Sequence, residues 1–183
     1  MTLGFIFSCI YFYLPAAFAN MGAVFSKVVP IFNNIKFPID LGQKIRGQRI
    51  IGDHKTFGGY LFGVLFGTLM GFIKFIFLDN FFRNYLLFNL SLVETVFLYF
   101  VMSNGALLGD LLKSVLKRLF NIPPHSAWIP FDEIDHSTIA MLLASFVISL
   151  DLKVYLTVVI IYFFLHLISN VIGYLLKLKE VPY

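Results

Sequence analysis

The chain of 183 residues is 59% hydrophobic and has a mean hydropathy of +0.86. Soluble domains are only about half apolar, so this composition excludes a soluble globular fold and indicates that lipid surrounds most of the chain. The one cysteine, Cys9, excludes a disulfide framework. The net charge of +4 does not point to nucleic acid as a partner, because no basic patch with stacking aromatics lies outside the apolar stretches.

Five apolar stretches follow along the chain, each about long enough for a helix that crosses a bilayer core of roughly 30 Å. They cover residues 3–26, 57–78, 90–112, 131–150 and 153–176, and charged loops fill residues 27–56 and 113–130. The first stretch lacks the basic start and the cleavage site of a signal peptide, so we expect it to be retained. These features predict a single all-α domain over residues 1–183, a multi-pass protein of the cell membrane with about five transmembrane helices.

The Lys and Arg residues fall mainly in the two charged loops and in the carboxyl-terminal tail. Cytoplasmic loops near helix ends carry the excess of these residues in membrane proteins. The distribution therefore predicts an amino terminus outside the cell, a carboxyl terminus in the cytoplasm, and both charged loops on the cytoplasmic face.

Glycine recurs at every fourth residue in the second stretch, at Gly59, Gly63, Gly67 and Gly71. On a helix these positions form a smooth strip against which another helix can pack closely. The strip predicts helix packing, either inside one chain or between the subunits of a homodimer, and it carries no information about a substrate.

The third stretch ends in a regular pattern of polar residues. Asp110 is followed by Ser114 four residues later and by Lys117 three residues after that, which places all three along one stripe of a helix. Arg118 flanks this stripe.

Asp132 and Asp135 are three residues apart at the start of the fourth stretch, and on a helix they share a face. The residues from His136 to Leu150 are too few to cross the bilayer core, so the helix must begin near Phe131. Both carboxylates then lie near membrane depth, where a charged group must pair, bind a cation or face a cavity.

Two interpretations of these acids stay open. Together with Asp110, the two aspartates can form a Mg²⁺ site for a phosphorylated substrate, because Mg²⁺ prefers oxygen ligands and completes its shell with waters and phosphates. Alternatively, Asp132 and Asp135 are ordinary acids at a helix amino terminus, and Asp110 pairs with Lys113 or Ser114.

The first charged loop ends in a second motif, Gly52-Asp53-His54-Lys55-Thr56, directly before the second stretch. A turn followed by Lys and Thr at a helix start can present backbone N–H groups and a cation to an anion. The same residues also suit a simple helix cap, with Thr56 or Asp53 as the capping residue.

Together these segments resemble the membrane CTP transferases that make CDP-activated lipids, and among them most closely the CDP-archaeol synthase family. The resemblance covers nearly the whole chain and rests on Leu14-Pro15-Ala16, Ala19-Asn20, the motif from Gly52 to Thr56, Gly109-Asp110, Ser114, Lys117-Arg118, Ile122-Pro123-Pro124 and the segment from Asp132 to Asp135. Where related sequences have Arg or Gln after the first aspartate of that segment, this chain has Glu133.

The resemblance implies that a lipid phosphate, similar to 2,3-bis-(O-geranylgeranyl)glycerol phosphate, attacks the α-phosphorus of CTP in a Mg²⁺-dependent reaction. A CDP-lipid forms and pyrophosphate leaves. The implied metal ligands are Asp110, Asp132 and Asp135, which with Lys117 form the catalytic set. The implied substrate contacts are Asp53, Lys55, Thr56, Ser114, Arg118 and Asn20.

Two other functions stay open at this point. An ester-linked phosphatidate could be the lipid substrate, because apolar spans do not reveal the linkage or the tails. A small transporter could use intramembrane aspartates to carry a cation. A transporter would be expected to show polar residues at the midplane and internal symmetry, and neither is evident in the sequence.

Overall fold

A computed structural model describes residues 2–52, 54–123 and 126–177. Within these residues the α-helices are α1 (Leu3–Phe25), α2 (Pro30–Asn33), α3 (Phe57–Phe77), α4 (Leu92–Leu119), α5 (Phe131–Ala144) and α6 (Leu152–Leu175). Short 3₁₀ turns cover Ser26–Val28 and Arg83–Tyr85. Strands β1 (Lys44–Ile45) and β2 (Gln48–Arg49) form a small antiparallel hairpin in the loop before α3.

Four of these helices, α1, α3, α4 and α6, are long and apolar enough to cross a membrane. Each begins at a polar residue whose side chain accepts a hydrogen bond from the first turn, and the four capping residues are Thr2, Thr56, Ser91 and Asp151. The predicted class, an all-helical multi-pass membrane protein, is therefore confirmed.

The predicted fourth span, 131–150, is too long at its carboxyl end. Helix α5 begins at Phe131 as expected, but it ends at Ala144 after 14 residues, a length of about 21 Å. Residues 145–147 form turns, and the Asp151 carboxylate accepts a hydrogen bond from the Lys153 N–H to begin α6. Because the turn residues are mostly as apolar as the helix before them, hydropathy alone could not locate this end.

The predicted third span, 90–112, is too short. Helix α4 begins at Leu92 and continues to Leu119, so the loop predicted to begin at residue 113 begins only after residue 119. Of the three charged side chains of this extension, Lys113 and Lys117 pair with carboxylates, and Arg118 donates to backbone carbonyls. Charge at this point therefore marks an ion-paired part of the helix rather than its end.

The glycine strip of α3 packs against two helices of the same chain. A Cβ atom added at Gly63 would lie 2.7 Å from the Ala19 carbonyl oxygen of α1 and 2.8 Å from Leu107 Cδ1 of α4. A Cβ atom added at Gly67 would lie 2.8 Å from the Pro15 carbonyl oxygen. Of the two predicted roles, the structure thus shows the first, since α1 and α4 cover the strip within one chain.

A second pair of glycines brings α4 and α5 together. A Cβ atom added at Gly105 would lie 2.6 Å from the Ala140 Cα atom, and one added at Gly109 would lie 2.7 Å from the Asp135 carbonyl carbon. Real Cβ atoms do not tolerate such distances, so glycine permits the two backbones to approach. The start of α5 consequently lies directly against the end of α4.

A buried carboxylate organises the loop before α3. Asp40 accepts hydrogen bonds from Arg49 Nε at 3.1 and 3.2 Å, and from the backbone N–H groups of Gly42 and Ile51 at 3.1 Å each. These bonds, above all those from Arg49, lower the pKa of Asp40 to about 2. The hairpin then meets α4, where Arg118 Nε donates to the Arg49 carbonyl at 3.2 Å.

The strip of α3 leads to a stability prediction. Gly67→Ala should lower the stability of the detergent-solubilised protein by about 1–3 kcal/mol, because the new methyl group overpacks the contact with α1. Thermal unfolding followed by circular dichroism measures the change. Gly4→Ala is the matched control, since a Cβ atom there would lie 3.6 Å from its nearest neighbour, an ordinary contact. An equal effect of both substitutions would contradict the packing described here.

The hairpin leads to a pH prediction. Because the folded-state pKa of Asp40 lies below the ordinary value of 3.8, its ionised form stabilises the fold above about pH 4, and this contribution is lost as the pH falls through about 2. Asp40→Asn should therefore cost about 1–3 kcal/mol at pH 7 and progressively less below pH 4. Unfolding scans at pH 7, 4 and 3, with the exposed Asp151→Asn as control, measure the difference. A pH-independent deficit would refute the assigned role of the charge.

Candidate active site

Three aspartates from two helices meet at the end of the bundle where α4 ends and α5 begins. Asp110 lies in α4, whereas Asp132 and Asp135 lie in the first turns of α5. The Asp132 carboxylate accepts a hydrogen bond from the Trp128 N–H at 2.6 Å, which fixes the chain as it enters α5. Acids in this position also suit the dipole of the helix, so that part of the alternative interpretation holds as well.

The ammonium group of Lys113 joins all three carboxylates. Its Nζ atom lies 2.9 Å from Asp110 Oδ1, 2.9 Å from Asp135 Oδ2 and 3.5 Å from Asp132 Oδ1. The side chain of Lys113 is 17% exposed and that of Asp135 is 7% exposed, so the ion pair between them is largely shielded from water. The aspartates therefore converge on a single positive charge.

Lys55, just before α3, contacts the cluster from another direction. Its Nζ atom lies 2.7 Å from Asp110 Oδ2, and it donates to Ser114 Oγ at 2.6 Å and to the Asp110 carbonyl at 2.8 Å. Burial lowers the pKa of the Lys55 ammonium group, and the charge of Asp110 opposes that shift. The motif of the first loop and the polar stripe of α4, which are distant in sequence, are thus in direct contact.

Lys117 holds Asp132 and the loop that precedes α5. Its Nζ atom lies 2.8 Å from each carboxylate oxygen of Asp132 and donates to the Ser126 carbonyl at 2.7 Å. The predicted stripe of α4 is therefore real: Asp110, Ser114 and Lys117 all point toward the same cluster.

Two further ionisable residues of α5 border the aspartates. His136 Nδ1 lies 3.1 Å from Asp135 Oδ1, and the His136 ring packs beside that of Tyr13. Glu133 is 1% exposed, and its Oε2 atom has no hydrogen-bond partner among the described residues. The Glu133 side chain consequently lies inside the protein, while its neighbour Asp132 faces Lys113 and Lys117.

The donor set suits a hard divalent cation such as Mg²⁺. Oxygen atoms of Asp110, Asp132 and Asp135 all lie within 3.5 Å of one ammonium nitrogen. As the side chains stand, no three Asp, Glu, His or Cys residues of the described chain form a group that would hold a metal ion. A Mg²⁺ ion at this point would take its protein ligands from these three carboxylates and complete its shell with waters and phosphate oxygens.

Several residues that are expected to contact a substrate make hydrogen bonds within the protein in this structure. Arg118 is buried, and its guanidinium group donates to the carbonyls of Arg49 and Ile122, at 3.2 and 2.6 Å. Thr56 accepts a hydrogen bond from the Gly59 N–H at 3.1 Å and caps α3, as the alternative interpretation of that motif requires. Their contacts with a substrate stay predictions.

Asn20 and Asp53 complete the predicted set. Asn20 is half-buried on α1, seven residues after Tyr13, whose ring contacts His136. Residues seven apart share a helix face, so Asn20 lies on the same face of α1 as Tyr13, about two turns nearer the end of that helix. Asp53 lies outside the described residues, and its role stays a prediction.

The central residue of the cluster, Lys113, was missed as a functional residue by the sequence interpretation. It was considered only as an ordinary partner of Asp110. Its spacing carried a usable signal, because Lys113 follows Asp110 by three residues and precedes Lys117 by four, which places it on the same face of α4. Its contacts with Asp132 and Asp135 depend on the packing of α5 and have no local signal.

Known proteins share both the sequence and the fold. A family model described as CarS-like, CDP-archaeol synthase, matches residues 2–183. The CDP-archaeol synthase of Sulfurisphaera tokodaii is 33% identical over 183 residues, which cover 98% of this chain and 97% of the relative. That of Methanocaldococcus jannaschii is 33% identical over 177 residues, which cover 96% of each chain.

A solved structure described as an intramembrane enzyme for archaeal membrane lipids biosynthesis has a similar fold. Its TM-score is 0.67 at 24% sequence identity, and the match covers 88% of this chain and 91% of that one. The fold, the family model and the full-length relatives therefore agree. The chain belongs to the CarS-like family, that of the CDP-archaeol synthases.

Proposed function

We propose that this chain transfers the cytidylyl group of CTP to an ether-linked isoprenoid glycerol phosphate, forming CDP-archaeol-type lipid and pyrophosphate. Membership of the family supports the reaction. The observation that carries the site is the convergence of the carboxylates of Asp110, Asp132 and Asp135 on Lys113, at one end of the helix bundle. Neither a transporter nor an ester-lipid enzyme is favoured by the relatives.

The proposed reaction is a substitution at phosphorus. An oxygen of the lipid phosphate attacks the α-phosphorus of CTP, the bond from this phosphorus to the oxygen bridging to the β-phosphorus breaks, and that oxygen leaves with pyrophosphate. Bound Mg²⁺ would supply charge neutralisation at the nucleotide oxygens. Such transfers need positioning and electrostatic stabilisation more than covalent help from the protein.

The lysines of the cluster supply the positive charge that a triphosphate requires. Lys55 and Lys117 lie on different sides of the aspartates, each paired with one of them. Ser114 Oγ accepts from Lys55 and donates to the Asp110 carbonyl at 2.9 Å, which holds the Lys55 ammonium in place. These groups can donate hydrogen bonds to the phosphate oxygens of CTP and to the departing pyrophosphate.

We further propose that the site faces the cytoplasm of a cell whose membrane contains the chain. The loop before α3 and the loop between α4 and α5 adjoin the cluster, and the first of them is rich in Lys and Arg. A cytoplasmic position follows from the positive-inside rule and gives CTP direct access. The lipid phosphate would arrive from the bilayer that surrounds the apolar helices.

The reaction can be tested with purified protein in detergent or liposomes. CTP labelled at the α-phosphorus, with Mg²⁺ and the unsaturated ether-lipid phosphate, should give a labelled lipid, whereas CTP labelled at the γ-phosphorus should give labelled pyrophosphate only. Phosphatidate with ester-linked acyl tails, assayed in parallel, should react far more slowly. Absence of a labelled lipid from every phosphate tested, together with cation uptake by the liposomes, would instead support transport.

The carboxylates can be tested separately. Asp135→Asn and Asp132→Asn should each lower kcat/KM by at least about a hundredfold, because each removes an ionised oxygen ligand from the site. Asp151→Asn, the same chemical change at the cap of α6, should leave the rate unchanged, since Asn caps helices as well as Asp does. Circular dichroism confirms folding of each variant. Full activity in both site variants would refute the assignment.

A further inference from the structure

The place where the three carboxylates converge is filled by a cation that belongs to the protein. We propose that Lys113 is a resident counterion: it holds Asp110, Asp132 and Asp135 together when no metal is bound, and a divalent cation must displace its ammonium group to enter the site. This inference rests on the proposed Mg²⁺ site and concerns how that site is kept assembled and how it is loaded.

The geometry separates Lys113 from the other lysines of the cluster. Lys113 Nζ contacts three carboxylates, at 2.9, 2.9 and 3.5 Å. Lys55 pairs with Asp110 and Lys117 pairs with Asp132, each from outside the group. Among these lysines, Lys113 alone therefore occupies the position that a metal ion bound by all three aspartates would take.

Lys113 and a metal ion exclude each other from this position. A Mg²⁺ ion about 2.1 Å from the same carboxylate oxygens would overlap the space of an ammonium nitrogen 2.9 Å from two of them. Two cations at that separation would also repel strongly in a partly desolvated site. Binding is consequently an exchange of one cation for another.

Charge balance gives a reason for a resident cation. The three carboxylates and the ammonium groups of Lys55, Lys113 and Lys117 balance one another in charge. Without Lys113, the contacts of the Asp135 carboxylate within the described part of the chain would be those with the His136 N–H and ring. Buried carboxylates without a counterion are strongly destabilising. Lys113 thus removes the repulsion that would otherwise separate α4 from α5 before the metal arrives.

The lysine side chain is suited to such an exchange. Its ammonium group is a compact charge on a flexible stem of four carbons, so it can leave the carboxylates without movement of α4. Once displaced, the group lies beside the metal site and can pair with an oxygen of the nucleotide triphosphate. The exchange would therefore couple metal entry to the gain of a phosphate-binding cation.

The test measures metal binding without catalysis. Thermal unfolding of the detergent-solubilised protein is followed across a Mg²⁺ titration in the absence of CTP and lipid. Lys113→Gln should lower the melting temperature without metal. It should also lower the titration midpoint, that is, the apparent dissociation constant of Mg²⁺ fitted to the rise of the melting temperature with Mg²⁺ concentration, by about tenfold, as expected if the Lys113 ammonium group occupies the site in roughly nine-tenths of the wild-type molecules. An unchanged or higher midpoint in Lys113→Gln would overturn the proposal.

Two matched variants separate exchange from a general effect of charge. Lys117→Gln removes the same charge from the same cluster but contacts only Asp132 among the aspartates, so its midpoint should shift much less. Lys113→Arg retains the cation and should keep the midpoint high. Equal shifts in Lys113→Gln and Lys117→Gln would show that only net charge matters, which contradicts the exchange.

The wild-type protein provides a second measurement that does not depend on the folding of any variant. Acetylation by a brief pulse of acetic anhydride, quantified by mass spectrometry, should modify Lys113 faster when Mg²⁺ is present, with the exposed Lys44 as internal standard. Unchanged or slower modification of Lys113 would refute displacement. If Mg²⁺ stabilises the wild type at no concentration, the metal site of the proposed function is refuted, and the proposed cation exchange is refuted together with it.

Discussion

The need to balance charge in a poorly solvated place governs this structure. Asp110, Asp132 and Asp135 lie at the end of an apolar helix bundle. An unpaired carboxylate in such surroundings lowers the stability of the fold. Each of them is paired: Asp110 with Lys55 and Lys113, Asp132 with Lys117, and Asp135 with Lys113. Satisfying these pairs requires that the loop before α3, the end of α4 and the start of α5 meet at one point.

Close packing of the helices allows these three segments to meet. Glycines at the contacts of α3 with α1 and α4, and of α4 with α5, allow backbones to approach more closely than any side chain would permit. Gly109 is the clearest case, because it lies directly before Asp110 and against the backbone of Asp135. A larger residue there would separate the carboxylate of Asp110 from that of Asp135, and Lys113 contacts both. The hairpin contributes from the side, since Arg118 joins its backbone to the end of α4.

Local patterns predicted much of this arrangement, and they failed where tertiary contacts decide. The stripe of Asp110, Ser114 and Lys117 and the start of α5 near Phe131 follow from helix periodicity and from the thickness of a bilayer, and both were right. The predicted carboxyl ends of α4 and α5 were wrong, because α4 continues through paired lysines and α5 stops within an apolar segment. Hydropathy records neither ion pairing nor turn geometry.

The dependence on tertiary contacts also explains which candidate site residues could be identified from the sequence. The acids were identified because charge in an apolar chain is rare and needs a reason, whereas Lys113 was missed because lysines near a predicted helix end already have a topological explanation. The inward position of Glu133 and the pairing of Asp40 with Arg49 across a hairpin likewise depend on neighbours distant from the local pattern. A sequence can therefore reveal an acidic site while the resident cation at its centre stays hidden.

The central claim is that Asp110, Asp132 and Asp135 together form one divalent-metal site. Electron paramagnetic resonance of Mn²⁺, which replaces Mg²⁺ at oxygen-ligand sites, tests it directly in the purified protein with CTP. The account predicts a bound-Mn²⁺ signal in the wild type that is lost in each of Asp110→Asn, Asp132→Asn and Asp135→Asn and is retained in Asp151→Asn. An unchanged bound-Mn²⁺ signal in the three site variants would contradict it.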